Sequence, residues 1–201
     1  MKLILATSNK GKVKEIESIF LGGNIEFIGL DQLKSKDNTP IDVPVIIEDG
    51  MTFKDNAYIK AKAIYDLSGA DIMSEDSGLC VDFLNGAPGV FSARFAGQSK
   101  KDSDNIEKVL TLMKGVPEDN RTAQFKSVFC LIINGKEYFF DGYINGRIID
   151  VPSGSGGFGY DPIFVPIGYS QTFAELGDDI KNSISHRAMA IEKVKEFLLA
   201  C

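Results

Sequence analysis

The chain has 201 residues, of which 44% are hydrophobic and 25% charged, and its formal net charge is −6. That balance excludes a disordered chain, supplies a core without disulfides or a structural metal, and argues against long polyanions such as DNA or RNA as partners. Its three cysteines, Cys80, Cys130 and Cys201, stand far apart with no CxxC, so neither a disulfide framework nor a cysteine metal site fits, and a reducing, cytoplasmic setting does.

The first apolar run, KLILAT (2–7), reads as a buried strand and is too short for a signal peptide. TSNKGK (7–12) leads into a helix with Val13, Ile16, Ile19 and Phe20 on one face, ended by Gly22 and Gly23. Residues 25–30 alternate as a second strand, and 31–44 read as loop. Thr52 caps a helix whose Phe53, Ala57, Ala61, Ile64 and Leu67 recur at helical spacing until Gly69 closes it. A short strand over 72–74 runs into EDSG, where Ser77-Gly78 reads as a tight turn, and 79–83 form another strand. NGAPG (85–89) is a turn cluster. Ile106, Val109, Leu110 and Met113 mark a helix ended by Gly115 and Pro117.

Phe125, Ser127, Phe129, Leu131 and Ile133 line one side of a strand, Asn134-Gly135 is a two-residue hairpin turn, and EYFFDGYI returns. Asn145-Gly146 suggests a second turn or a bulge. SGSGGFGYDP (153–162) reads as a linker or as bare backbone that a ligand approaches. Residues 163–166 are a strand fragment and 184–199 a final helix. The longest wholly apolar run, Val128 to Ile133, is far too short to span a membrane. The order of elements predicts an α/β fold with a mixed sheet in a single domain over 1–201.

Four stretches carry chemistry. Thr7, Ser8, Asn9, Lys10, Gly11 and Lys12 sit where a strand gives way to a helix, a place that favours anions, although an ordinary turn with solvent-exposed lysines would look the same. The stretch is not a Walker A loop, because Val13 stands where the hydroxyl residue belongs. Glu75 and Asp76 are adjacent acids after a buried strand, and their mutual repulsion would be relieved by a divalent cation such as Mg²⁺. Glu48 and Asp49 form a second acidic pair. In the glycine stretch, Phe158 or Tyr160 suits a flat ring, or Phe158 simply packs into the core. Lys181, His186, the only histidine, and Arg187 cluster around the start of the last helix. With no second histidine, a histidine metal site does not fit. Lysines for phosphates, carboxylates for a metal, an aromatic for a ring and Arg187 for a ring edge together describe a nucleoside triphosphate site.

With those residues in view, the sequence closely resembles the inosine triphosphate pyrophosphatase family. The resemblance runs through TSNKGK (7–12), EDGMTFKDNAYIKA (48–61), SEDSGL (74–79), GAPGVFSARFAG (86–97), GSGGFGYDPIF (154–164) and SISHR (183–187). It implies an elongated α/β fold, with a long mixed sheet, flanking helices and two lobes around a central active-site cleft. It also implies Mg²⁺ dependence, a homodimer, and hydrolysis of ITP, dITP and XTP to monophosphate and pyrophosphate. Carried onto this chain, Thr7 to Lys12 and Lys60 would meet phosphates, and Glu48, Glu75 and Asp76 would hold or orient Mg²⁺. Asp76 would also be the catalytic base, with Ser77 contacting substrate. Phe158, Gly159, Tyr160 and Asp161 would form the base wall, and Lys181, His186 and Arg187 the base edge. Many members carry Asp-Asp where this chain has Glu75-Asp76.

Two other readings compete. One is a Maf-like pyrophosphatase for modified or pyrimidine nucleotides, against which SISHR (183–187) argues. The other is a nucleotide sensor that binds without hydrolysis, which would have no use for a general base.

Overall fold

The computed structural model describes residues 1–20, 25–34 and 39–200, so the predicted helix stop at Gly22 and Gly23, and Cys201, lie outside the described residues. Its strands are β1 (Lys2–Leu5), β2 (Glu26–Ile28), β3 (Ile72–Val81), β4 (Thr122–Ile133), β5 (Lys136–Ile148) and β6 (Phe164–Pro166). Its α-helices are α1 (Lys10–Ile19), α2 (Phe53–Ser68), α3 (Asp102–Leu112), α4 (Phe173–Ile184) and α5 (His186–Leu199). The strands form one six-stranded sheet in the order β2-β1-β3-β4-β5-β6. β1 runs parallel to β2 and β3, while β5 and β6 are antiparallel, so the sheet is mixed as the sequence predicts. Among the described residues no helix is long and apolar enough to cross a membrane.

The chain divides into two compact units. One holds Met1–Asp76, Ser127–Asp141 and Ala190–Cys201; the other holds Ser77–Lys126 and Gly142–Met189. The first unit has two apolar layers, because side chains alternate across each strand. Leu3, Leu5, Met73, Phe129, Leu131 and Ile133 pack with Ile16 of α1, with Phe20 just past its end and with Ala190, Ile191 and Val194 of α5. Ile4, Ala6, Ile72, Cys130 and Ile132 point the other way and pack with Ala57, Ala61 and Ile64 of α2. Strands buried on both faces explain the unbroken apolar runs that the sequence carries there. Thr52 and Asp55 close a capping box at the start of α2, and Gly69, at φ 64°, ends it in the left-handed conformation. Such a box contributes about 1 kcal/mol and sets where the helix turns begin. The second unit has one core, in which Leu79, Val81, Val109, Met113, Phe125, Ile148, Ile163, Phe164 and Phe173 meet.

Three expectations are corrected. SEDSG is not a turn: Ser77 and Gly78 lie inside β3, which runs unbroken from Ile72 to Val81. Gly78 is there for proximity, since a Cβ at that position would come within 2.6 Å of the Gly89 carbonyl oxygen. Asn145-Gly146 makes no second turn, because both residues lie inside β5. A Cβ on Gly146 would stand 2.5 Å from the Phe164 ring, so this glycine lets β6 pack against β5. Finally, α4 had no counterpart in the sequence reading, although its capping box, Thr172 with Glu175, is written in the sequence as TFAE.

Candidate active site

In the first unit the site grows from the ends of β1 and β3 and from α1 and α2. Asn9 caps α1, its side chain accepting from the Lys12 N–H at 3.1 Å, and Thr7 Oγ1 accepts from the Asn9 N–H at 3.2 Å. Ser8, Asn9 and Lys10 are exposed there. The first turn of a helix carries N–H groups with no partner inside the helix, and α1 presents them at that exposed end. β3 then settles the two adjacent acids. Because side chains alternate along a strand, Glu75 points to the layer of α1 and Asp76 to the layer of α2. The repulsion expected from their adjacency is therefore relieved by divergence, and each carboxylate has its own lysine.

Glu75 is fully buried. Lys12 of α1 reaches its Oε2 at 2.7 Å, and the Ser127 hydroxyl donates to its Oε1 at 2.8 Å. Asp76 is 7% exposed and is held from both ends. Lys60 stands 3.4 Å from its Oδ1, and the Asn56 side-chain amide donates to its Oδ2 at 3.1 Å. The same Lys60 ammonium lies 2.5 Å from Glu48 Oε2. Asn56 and Lys60 are one helical turn apart, which puts both on one face of α2. Burial pushes the Asp76 carboxyl above its usual range, partly countered by Lys12 and Lys60. Burial alone would lower the Lys60 ammonium, but Asp76 and Glu48 outweigh it and hold Lys60 above its usual value, firmly charged. Among the described residues no three acidic, histidine or cysteine side chains converge as a ready-made metal cage. Glu48 and Asp76 do bring two hard oxygens to a single cation, the Lys60 ammonium.

The second unit holds a different constellation. Phe158 sits in the glycine stretch with the Lys181 ammonium 4.6 Å above its ring centroid and the Arg187 guanidinium 5.7 Å away. The loop is pinned through its backbone. Asp161 Oδ2 accepts from the Phe158 N–H at 2.8 Å and from Lys181 at 2.5 Å, and Asp102 Oδ2 accepts from the Gly159 N–H at 2.7 Å. Gly157 has φ 70°, and a Cβ there would run into the Asp161 carboxylate, so only glycine fits. Tyr160 is buried and its hydroxyl donates to the Ser92 carbonyl at 2.8 Å, so its ring belongs to the core and shapes the loop from behind. Arg187 is 1% exposed and donates to the Ser77 hydroxyl at 3.1 Å. His186 is buried as well and stacks on Phe125 with centroids 4.9 Å apart and planes 10° apart. An open groove of about 750 Å³ in this unit, lined by Ile106, Leu110, Lys114, Pro152 and Pro162 among others, contains none of these residues.

Sequence reasoning missed Asn56, Ser127 and Asp102 as members of these clusters. Ser127 had a signal: it is the lone polar residue on an otherwise apolar strand face. Asn56 had a fainter one, its spacing of four from Lys60.

Comparison with known proteins agrees along the whole chain. A family model described as the Ham1 family matches residues 3–197. The dITP/XTP pyrophosphatase of Desulforamulus reducens is 45% identical over 98% of this chain and 96% of its own. That of Porphyromonas gingivalis is 41% identical over 98% of this chain and 97% of its own. Among solved structures, a HAM1 protein from Coxiella burnetii superposes with a TM-score of 0.88 at 36% identity, covering 100% of both chains. The Ham1 protein of Staphylococcus aureus gives 0.84 at 36% identity, covering 100% of this chain and 99% of its own.

Proposed function

The chain belongs to the Ham1 family, and from that premise we propose that it hydrolyses noncanonical purine nucleoside triphosphates, ITP, dITP and XTP, to the monophosphate and pyrophosphate with Mg²⁺. The observation that carries the reading is the buried Asp76, held between Asn56 and Lys60, with Glu48 on the same lysine.

The lysines give the site its logic. Lys12 pairs with Glu75, and Lys60 is shared between Glu48 and Asp76. A triphosphate competes for the same ammonium groups, and Thr7 to Lys12 at the start of α1 add N–H donors for its oxygens. Asp76 then accepts a proton from the water whose attack on phosphorus breaks the α–β phosphoanhydride bond and releases monophosphate and pyrophosphate. The residues fit Mg²⁺, which takes one or two carboxylates together with water and substrate phosphates and needs no protein cage. Glu48 and Asp76, which already converge on one cation, would hold it, and Glu75, turned to the α1 layer, would orient the site through Lys12; when bound the ion supplies charge neutralisation to the phosphates.

On the base side, Phe158 covers the purine, with Gly159, Tyr160 and Asp161 fixing that wall and Ser77 contacting substrate. Arg187 meets the 6-oxo group of hypoxanthine or xanthine, and Lys181 and His186 complete that edge. Arg187 can only donate, so an adenine 6-amino group would leave two donors facing each other. Such a buried mismatch costs roughly 1–3 kcal/mol. The reading includes a cytoplasmic homodimer acting as one catalytic domain over residues 1–201, supported by the family resemblance.

The test is pyrophosphate release from ITP, XTP, GTP, ATP, dUTP and dTTP, with Mg²⁺ and with EDTA. Metal-dependent pyrophosphate, strong for ITP and XTP and weak for GTP and ATP, is expected. Orthophosphate as product would overturn the mechanism. Preference for dUTP or dTTP would favour a Maf-like activity, and binding of ITP without turnover would make the chain a sensor.

A further inference from the structure

We infer that Asn56 is a positioning residue for the proposed base: its side-chain amide aims the Asp76 carboxylate and keeps hold of it when Lys60 turns to the substrate. The inference rests on the pyrophosphatase reading and deepens it.

Asn56 is 1% exposed, and both ends of its amide are used. Its Oδ1 accepts from the Gly50 N–H at 2.8 Å, and its Nδ2 donates to Asp76 Oδ2 at 3.1 Å. The orientation follows from its neighbours. A backbone N–H can only donate and an ionised carboxylate can only accept, so the oxygen must face Gly50 and the nitrogen Asp76. The lever behind the amide is stiff. Asn56 is the first residue after the Thr52–Asp55 capping box, and its N–H bonds the Thr52 carbonyl at 3.1 Å. Ser74 of β3 donates to the Ala57 carbonyl of α2, tying the helix to the strand that carries Asp76. Gly50 makes room, since a Cβ there would lie 2.7 Å from Asn56 Oδ1.

The two groups on Asp76 differ in what substrate does to them. Lys60 is a cation, and an incoming triphosphate draws it off. The amide of Asn56 is neutral and stays. It occupies Oδ2 and leaves Oδ1, the oxygen that faces Lys60, as the one available to a water proton. A carboxylate free to rotate would lose that alignment, and misplacing a catalytic group by a fraction of a bond length is expensive in rate.

The experiment compares Asn56→Asp with Asn56→Ala, measuring kcat and KM for ITP and the melting temperature of each. Aspartate keeps the acceptor for Gly50 but donates nothing to Asp76 and adds a like charge beside it. Alanine loses both bonds and adds no charge. If Asn56 aims Asp76, both variants lose about 10- to 100-fold in kcat with KM within about threefold, and Asn56→Asp is the worse. If Asn56 only anchors the 48–50 segment, Asn56→Asp is near normal, Asn56→Ala is the worse, and the loss is in melting temperature; that order overturns the inference. Should Asn56→Asp fail to fold, Asn56→Ala decides alone: a folded protein with unchanged kcat overturns it. A wild-type chain that releases no pyrophosphate from ITP would instead defeat the underlying reading, and the two failures are told apart by that one control.

Discussion

The carboxylate–lysine cluster of the first unit and the aromatic cluster of the second are built by opposite means. In the first, every group but Glu48 sits on a regular element. Asp76 and Glu75 are on β3, Asn56 and Lys60 on α2, Lys12 on α1, and strand alternation and helical spacing alone decide who meets whom. In the second, Phe158 stands on a loop with no periodicity. Its position depends on backbone N–H groups given to Asp161 and Asp102, and on a glycine where no side chain fits. The first arrangement fixes charges in a buried place where they act strongly on one another. The second fixes a flat surface and leaves the work to contact area. Substitutions should therefore separate along the same line, rate on one side and affinity on the other.

The largest effect expected is at Asp76. Asp76→Asn keeps the shape, and its single amide oxygen can accept from Lys60 or from Asn56, but it cannot take a proton. Turnover of ITP should fall by about 1,000-fold or more, with nucleotide binding retained, as measured by steady-state kinetics alongside calorimetric titration. Near-normal turnover in that variant would remove Asp76 as the base and with it the contrast between the clusters.

Next in size is the aromatic wall. Phe158→Ala deletes the ring and leaves the N–H that Asp161 holds. KM for ITP should rise about 10- to 100-fold, the range of a lost stacking surface, with kcat within a few-fold. Phe158 is only partly buried, so folding should survive. A drop in melting temperature with KM unchanged in the folded fraction would return Phe158 to a packing role.

The same division governs what could be read from the sequence. α2, with Thr52 at its start and Gly69 at its end, and the Asn134-Gly135 hairpin were legible because their signals are local: a cap, a period, a turn pair. The acidic pair was legible as chemistry and misread as geometry. Ser77-Gly78 has the composition of a turn, and only the approach of Gly89 and Ser92 makes a glycine necessary within a strand. For the same reason the opposite pointing of Glu75 and Asp76, which follows at once from a strand, could not follow from a turn. Asn56 and Ser127 escaped because their partners are 20 and 52 residues away. Lys181 is placed at the base edge by the family resemblance, which says nothing of its partners within the chain. Its bond to Asp161 and its place over Phe158 depend on how two distant segments fold together.

The smallest effect probes how the glycine stretch is held. Glu175 closes the capping box of α4, accepting from the Thr172 N–H at 2.8 Å, and its other oxygen accepts from the Ser153 hydroxyl at 2.7 Å, so the helix start grips the first residue of that stretch. Thr172 adds a bond from its hydroxyl to the Ser153 carbonyl, and the Gly156 N–H reaches the Ala174 carbonyl at 3.1 Å. The Thr172 N–H, then Ser153, hold the Glu175 carboxyl below its usual range. The sign follows from linkage. A carboxyl with a lowered folded-state value adds stability above its unfolded value, near 4.3, and that contribution fades as pH falls through the folded value. Glu175→Gln keeps the shape and removes the charge, so it should melt about 1–3 °C below wild type at neutral pH and match it in acid, with kcat and KM for ITP unchanged. A gap that persists undiminished into acid would place the defect in packing instead of charge. A raised KM would mean that the grip of α4 on Ser153 is felt as far along the loop as Phe158, and would make the loop-built wall dependent on a helix cap in the way that the carboxylate cluster already is.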